Sequence, residues 1–157
     1  MPTRIVVANQ AQADFYDAAG PQAALRFAQR LDNPAARIPD RDLGTDRPGR
    51  VFDRAATSGV RRGATGHHAT GGERSPRRQA ATVFARRIAA DLSAARESRR
   101  FDRLMLIAAP AFLGVLRKAL PKALRASVVA EVAKDLIGEP KSAVRARIPQ
   151  NALFPLR

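Results

Sequence analysis

The sequence predicts an α/β fold in which a five-stranded mixed β-sheet carries helices on its faces. Two observations predict it. Three short strand-like segments follow one another before residue 32, and helical and strand-like segments alternate after residue 75. Meandering strands followed by alternating helices and strands imply a mixed sheet with helices against its faces. A chain of 157 residues normally forms one domain. We therefore expect one domain over residues 1–148 and a loose C-terminal tail over residues 149–157.

The first part of the chain is predicted to form three strands. Residues 3–8, Thr-Arg-Ile-Val-Val-Ala, are rich in β-branched side chains and predict a buried first strand. Residues 13–17 alternate weakly and lead to the turn signal Gly20-Pro21, which is typical of a hairpin partner. Residues 25–31 alternate as a third strand, and Asn33-Pro34 ends it.

A long helix is predicted to follow, from the N-cap Ser75 and Pro76 to about Arg99. Its apolar residues recur at three- and four-residue spacing. Residues 101–108 form a continuous apolar run, which suits an interior strand covered on both faces. A helix is predicted over residues 111–120.

The last third of the chain is less regular. Pro121 is expected to stop or kink the preceding helix. Residues 128–132 suit a last strand, although they are alanine-rich enough to be helical instead. Glu139-Pro140 predicts the start of a short helix, and Pro149 with Pro155 marks the tail.

Residues 37–78 show almost no apolar periodicity and are interpreted as a long functional surface loop. Residues 49–78 carry seven cations and two acids. Glycines let the backbone approach phosphates and arginines neutralise them, while residues 59–74 contain no aromatic side chain for base stacking. Phosphate and shape contacts to structured RNA are therefore expected. The candidate nucleic-acid-binding residues are Arg50, Arg54, Arg61, Arg62, Arg74, Arg77 and Arg78.

Composition points to a polyanionic partner. The net charge is +14, and 24 of the 28 cations are arginine, whose planar fork matches phosphate oxygens. A GC-rich genome that encodes arginine for any surface cation is the alternative. The absence of cysteine excludes disulfides and thiolate metal sites. Apolar runs are too short for a signal peptide or a membrane span, so a cytoplasmic location is expected.

Catalytic and metal sites receive little support. His67-His68 suits a solvated pair better than two ligands of one metal ion. Four carboxylates could in principle bind two metals, but arginines between them favour an ion-paired loop; they are Asp40, Asp42, Asp46 and Asp53. The chain has no phosphate-binding glycine loop and no nucleophile elbow, so no cofactor and no catalytic residue is predicted.

Several segments resemble the bacterial host attachment family, whose members are described as proteins required for attachment to host cells. The resemblance extends from Thr3 to about Ile148. Besides the loop residues, it rests on Phe84-Ala85-Arg86, on Phe101 to Leu104, on Ala108 to Gly114 and on Glu131 to Leu136. The loop residues that carry the family motif are Asp42, Asp46, Arg47, Pro48, Gly49, Arg50, Asp53, Gly71, Gly72 and Glu73.

That family is similar to the middle domain of archaeal and eukaryotic class-1 peptide release factors, which also implies a five-stranded mixed sheet. Release factors carry a Gly-Gly-Gln tripeptide on a mobile loop before a helix, where this chain has Gly71-Gly72-Glu73. Because glutamate replaces the glutamine, peptide release is not implied. The leading hypothesis is a non-enzymatic protein that binds RNA or the ribosome. The alternatives are a role at the envelope in attachment to host cells, and hydrolysis of esters such as peptidyl-tRNA by Glu73 or His67.

Overall fold

The computed structural model describes residues 2–37 and 75–153. These residues form one five-stranded sheet of order β3-β2-β1-β4-β5. The strands are β1 (Thr3–Ala8), β2 (Gln12–Ala18), β3 (Arg26–Asp32), β4 (Arg103–Ala108) and β5 (Val128–Ala133). The α-helices of the described residues are α1 (Pro76–Glu97), α2 (Pro110–Ala119), α3 (Lys122–Ser127) and α4 (Lys141–Arg147). The predicted α/β class with a five-stranded mixed sheet is confirmed.

The sheet combines an antiparallel and a parallel half. β1 pairs antiparallel with β2, and β2 pairs antiparallel with β3. On its other side β1 pairs parallel with β4, which pairs parallel with β5. Every residue of β1 and of β4 is buried, as expected for interior strands covered on both faces.

The helices α1, α2 and α3 cover one face of the sheet. Apolar residues at three- and four-residue spacing give α1 a continuous buried stripe, and the rings of Phe84 and Phe112 join α1 to α2 at a centroid distance of 5.9 Å. The core beneath these helices includes Val6, Phe15, Phe84, Ile88, Leu92, Leu104, Leu106, Phe112, Leu116 and Leu124. We call this side of the sheet the helical face.

The opposite face has a smaller cover. Only α4 and the 3-10 turn Gln150–Leu153, of the described helical segments, contribute buried residues to its core. That core includes Ile5, Val7, Tyr16, Met105, Ile107, Leu136, Val144, Ile148, Ala152 and Leu153. We call this side the open face, because Phe27, whose ring lies edge-on to Tyr16, remains 44% exposed there.

A change of register in the β2–β3 pair determines which β3 side chains reach each face. Phe15 pairs with Gln29 and Tyr16 pairs with Phe27, so Ala28 has no partner of its own. As a result Gln29 reaches α1, where its side chain donates to Asp91 (2.6 Å), while Phe27 turns to the open face.

Some element boundaries differ from the predicted ones. Pro121 ends α2 as expected, but it is also the N-cap of α3, which the sequence did not predict. A proline fits this place because its fixed φ and missing N–H are tolerated at a helix start. Residues 128–133 form a strand, which decides between the two predicted structures. Residues 150–153, expected in a loose tail, form the 3-10 turn, because Ala152 and Leu153 are buried on the open face.

Both ends of the predicted loop are structured. Pro34–Arg37 forms a 3-10 turn, and α1 begins at Pro76, so Arg77 and Arg78 belong to its first turn. The helix ends at Glu97, two residues before the predicted Arg99. Residues 38–74, with most of the predicted loop, lie outside the described residues.

Candidate nucleic-acid interface

Positive charge is concentrated on the helical face. The described residues hold 20 of the 28 cations and 9 of the 14 acids, a net charge of +11. Within α1, α2, α3 and the turn 98–100 there are eleven cations but two acids, Asp91 and Glu97. All of the cations are exposed except the half-buried Arg77. This set, the basic face, is Arg77, Arg78, Arg86, Arg87, Arg96, Arg99, Arg100, Arg117, Lys118, Lys122 and Arg125.

The N-terminal end of α1 contains two of the predicted RNA-binding residues. The side chain of Ser75 caps the helix by accepting a hydrogen bond from the Arg78 N–H (3.1 Å). Arg77 Nη1 donates to the carbonyl oxygen of Ala36 (2.9 Å), which ties α1 to the 3-10 turn before residue 38. The Arg78 side chain is exposed. Carboxylates usually favour the first turn of a helix, but here that turn holds two arginines and no acid.

The other sequence-predicted site residues lie outside the described residues. Those of the nucleic-acid-binding set are Arg50, Arg54, Arg61, Arg62 and Arg74. Those of the family motif are Asp42, Asp46, Arg47, Pro48, Gly49, Arg50, Asp53, Gly71, Gly72 and Glu73. The structure therefore brings Arg77 and Arg78 together at the base of the predicted loop, and these two residues stay candidates.

Part of the basic face is tied down by the fold itself. Arg87 donates to the Asp32 carbonyl oxygen (3.0 Å), and Arg96 donates to Ser127 Oγ (2.6 Å). Arg125 donates to the Leu120 carbonyl oxygen, at 3.1 Å. Arg117 forms an ion pair with Glu131 (2.5 Å), and this hydrogen-bonded carboxylate raises the Arg117 pKa above its ordinary value. Arg87 and Arg117 therefore tie α1 and α2 to strands β3 and β5, whereas Arg96 and Arg125 tie α3 to α1 and to the end of α2.

The remaining exposed cations are open to a partner. Within residues 2–37 and 75–153, no hydrogen bond or ion pair is formed by the side chains of Arg78, Arg86, Arg99, Arg100, Lys118 and Lys122. Arg78, Arg86, Arg99 and Arg100 extend from the first turn of α1 to the residues just after its end, a distance of about 33 Å for 22 helical residues. Lys118 and Lys122 lie on α2 and α3. Open charges at this spacing can contact several phosphates of one strand or duplex at once.

The C-terminal end of α1 holds an arginine in an unusual backbone conformation. Arg99 has φ of 57°, in the left-handed region that normally favours glycine after a helix. The N–H groups of Arg99 and Arg100 donate to the carbonyl oxygens of Arg96 (2.9 Å) and Ala95 (3.0 Å). A side chain in this conformation costs about 1–2 kcal/mol. The helix is therefore followed by a strained residue whose exposed cation has no described partner.

The loop-centred prediction missed the five open cations beyond Arg78. The signal that could have revealed them is simple, since residues 75–125 carry twelve cations and three acids. The helical spacing of α1 then places Arg86, one of these cations, outside the apolar stripe. The helix-ending role of Arg99 has no comparable signal, because glycine is the residue that usually marks this position.

No group of three or more His, Asp or Glu side chains in residues 2–37 and 75–153 could hold a metal ion. The weighed candidates His67, His68, Asp40, Asp42, Asp46 and Asp53 all lie outside those residues. Among the helices described, none is long and apolar enough to cross a bilayer.

One comparison with known proteins is informative. The family described as "Protein required for attachment to host cells" matches residues 4–148 of this chain. The match includes all five strands, α1 to α3 and α4, and therefore the entire basic face. No curated protein matches the chain.

Proposed function

Because this chain belongs to the family of proteins required for attachment to host cells, we propose a molecular activity for it within that family. The protein binds RNA, free or within the ribosome, through the basic face. One observation carries the proposal: eleven cations and two acids lie on the helices of one side of the sheet. Six of those cations have no partner among the described residues and so keep their donors for a ligand.

The chemistry of the basic face favours phosphate contacts over base contacts. Arginine can donate two parallel hydrogen bonds to a phosphate, and each neutralised phosphate releases a counterion. The aromatic residues of α1 and α2, Phe84 and Phe112, are 1% and 3% exposed, so this surface offers no ring for base stacking. A partner with a regular phosphate backbone, such as structured RNA, fits that pattern.

The predicted loop extends the same proposal. Arg77 and Arg78 stand where α1 meets the 3-10 turn, directly after the segment that holds Arg50, Arg54, Arg61, Arg62 and Arg74. Those five arginines precede α1 in the sequence and would add their charge to the proposed interface. The resemblance of Gly71-Gly72-Glu73 to the Gly-Gly-Gln tripeptide of release factors is what suggests the ribosome as the source of the RNA. Glu73 in place of glutamine argues for binding without peptide release.

The direct test is binding of a fluorescent RNA duplex across a salt series. We expect affinity to fall with salt, with a slope of about 0.9 per neutralised phosphate. The double variant Arg86→Gln/Lys118→Gln removes two open cations of the basic face and should reduce the slope by about 2. The matched control Lys141→Gln/Arg147→Gln removes the same charge from the exposed residues of α4 and should leave the slope nearly unchanged.

Two outcomes would overturn the assignment of the interface. Equal weakening by both double variants would mean that net charge alone drives association. No binding at low salt would show that RNA is not the partner.

The family description favours a second candidate, a role at the cell envelope in attachment to host cells. Fractionation of the bacterium separates the two. Recovery with ribosomes in the cytoplasm supports RNA binding and the expected cytoplasmic location, whereas an envelope pool without ribosomes supports attachment. Turnover of a peptidyl-tRNA mimic by the purified protein would instead indicate the hydrolase that Glu73 or His67 could support.

A further inference from the structure

A small cleft lies between the C-terminal half of α1 and side chains of β1 and β3. Its volume is about 110 Å³, and it is lined by Arg4, Gln29, Asp91, Ser98, Arg100 and two alanines of α1. Two of the lining residues are arginines that differ in burial. Arg4 is almost fully buried, whereas Arg100 is exposed at the mouth and belongs to the basic face.

The Arg4 side chain is held in place by one carboxylate and two aromatic rings. Its Nε and Nη2 donate to the two carboxylate oxygens of Asp17 (2.7 and 3.0 Å). Its guanidinium carbon lies 5.5 Å from the ring centroid of Phe101 and 5.9 Å from that of Phe15. The side chain is 4% exposed, and Nη1 has no hydrogen-bond partner among the described residues. A fixed donor therefore faces the cleft region without an internal acceptor.

Some of the acceptors around the cleft are already used. Asp91 Oδ2 accepts from Gln29 Nε2 at 2.6 Å. The terminal carbonyl oxygens of α1 accept backbone bonds, from Ser98 N–H to Ala94 (3.0 Å) and from Arg100 N–H to Ala95 (3.0 Å). The donors without a described partner are Arg4 Nη1, the Ser98 hydroxyl and the Arg100 guanidinium, and the acceptors without one are Asp91 Oδ1 and Gln29 Oε1. A ligand that completes the two guanidinium groups must supply acceptors, and the Arg100 cation, which has no described acid partner, favours a negatively charged ligand.

We propose that this cleft binds a phosphate group. Two arginines and a hydroxyl supply charge-assisted and neutral hydrogen bonds to a tetrahedral oxyanion, and the volume suits one such group. The left-handed Arg99 explains why the chain turns here, because that turn returns Arg100 N–H to Ala95 and sets the Arg100 side chain at the cleft. The binding of phosphate stands by itself, and only the RNA backbone as its source rests on the proposed function.

The first experiment uses inorganic phosphate as the probe. Thermal unfolding of the full chain is followed in rising phosphate, against chloride at equal ionic strength. The wild-type melting temperature should rise with phosphate and saturate, since a ligand of the folded state stabilises it by mass action. Arg100→Gln should weaken phosphate binding roughly tenfold, as expected for loss of a hydrogen bond to a charged group.

Two matched variants sharpen the result. Lys118→Gln removes one open cation of the same face away from the cleft, so it should respond to phosphate like the wild type. Asp91→Asn removes the carboxylate that repels an anion in the cleft, so it should bind phosphate more tightly. An identical phosphate response in Arg100→Gln and Lys118→Gln, or no specific response in the wild type, would overturn the proposal.

RNA binding by the same proteins separates the two possible sources of the phosphate. A loss of RNA affinity in Arg100→Gln several times larger than in Lys118→Gln would support the RNA backbone as the ligand. Equal RNA affinities, together with the phosphate response, would support free phosphate instead. A phosphate response without any RNA binding would overturn the proposed function while leaving the cleft assignment intact.

Discussion

The two faces of the sheet differ in the length of the helices that cover them and in the size of the core beneath. On the helical face, the 22-residue α1 and α2 cover a core that contains Phe15, Phe84 and Phe112. On the open face, the seven-residue α4 and a 3-10 turn cover a smaller core whose one aromatic residue among those described is Tyr16. Charge follows the same division. The helices α1 to α3 with the turn 98–100 carry eleven cations and two acids, while residues 134–153 carry four cations and two acids.

This difference shows why so much charge can be concentrated on one side. Like charges one turn apart on a helix cost about 0.2–0.5 kcal/mol per pair. Each large apolar side chain buried under the same helix contributes about 1.5–3 kcal/mol. No two arginines within α1 lie three or four residues apart, while the helix buries three large apolar side chains, Phe84, Ile88 and Leu92, so its apolar contact outweighs the repulsion. The face with the larger core is therefore the one that can present a polyanion-binding surface.

The largest expected effect tests that unequal division of stability. Phe84 is 1% exposed and contacts the ring of Phe112, so Phe84→Ala should lower the free energy of unfolding by about 3–5 kcal/mol. Val144 is fully buried on the open face, and Val144→Ala should cost only about 1–2 kcal/mol, since fewer carbon atoms are lost. Urea unfolding followed by far-UV circular dichroism measures both. Equal losses would show that the two cores contribute alike.

Most of the fold could be predicted because each main element has a strong local pattern. β1 and β4 are continuous apolar runs, and α1 combines a Ser-Pro start with regular apolar spacing. Predictions were weaker where the pattern is short. The six-residue α3 contributes only Leu124 and Ser127 to the interior, so neither periodicity nor composition marks it. The turn at 150–153 forms through burial of Ala152 and Leu153, a contact between distant parts of the chain.

The candidate site was harder to predict than the fold. Arginine content pointed to a basic surface, but the sequence could not show which cations the fold uses internally. Arg4 looks like any strand residue, yet it is buried in an ion pair with Asp17. Arg96 and Arg117 have the composition of free surface cations but bind Ser127 and Glu131. Only three-dimensional pairing separates these residues from the open Arg86 and Lys118.

A second prediction sharpens the comparison by testing whether water reaches the Tyr16 phenol in the core of the open face. Tyr16 is the chain's one tyrosine, and the chain has no tryptophan, so absorbance in the near ultraviolet titrates this group alone. Burial raises the pKa of Tyr16 above its ordinary 10.0, the Asp14 carboxylate raises it further, and the Arg30 guanidinium opposes both. We expect the ionisation midpoint in the folded protein to lie above that in denaturant.

The sign for stability follows from the same shift. Because the folded state holds the phenol proton more tightly, Tyr16 contributes stability below pH 10 that is lost as the pH rises through the folded pKa. Tyr16→Phe should remove this alkaline loss, and Asp14→Asn should lower the midpoint of the titration. A midpoint in the folded protein equal to that in denaturant would show that water reaches the phenol freely.

The smallest effect in stability falls on the helical face, at Arg99. Glycine avoids the steric cost of φ 57° but loses more entropy on folding, so Arg99→Gly should stabilise the protein by only about 0.5–1 kcal/mol. Arg99→Ala is the control, because it removes the same charge and keeps the strain. Both variants should bind the RNA duplex several times more weakly, while only the glycine variant gains stability in urea. If glycine gave no gain over alanine, the left-handed turn would carry no strain. If binding were unchanged in both, Arg99 would be held there without any part in the interface.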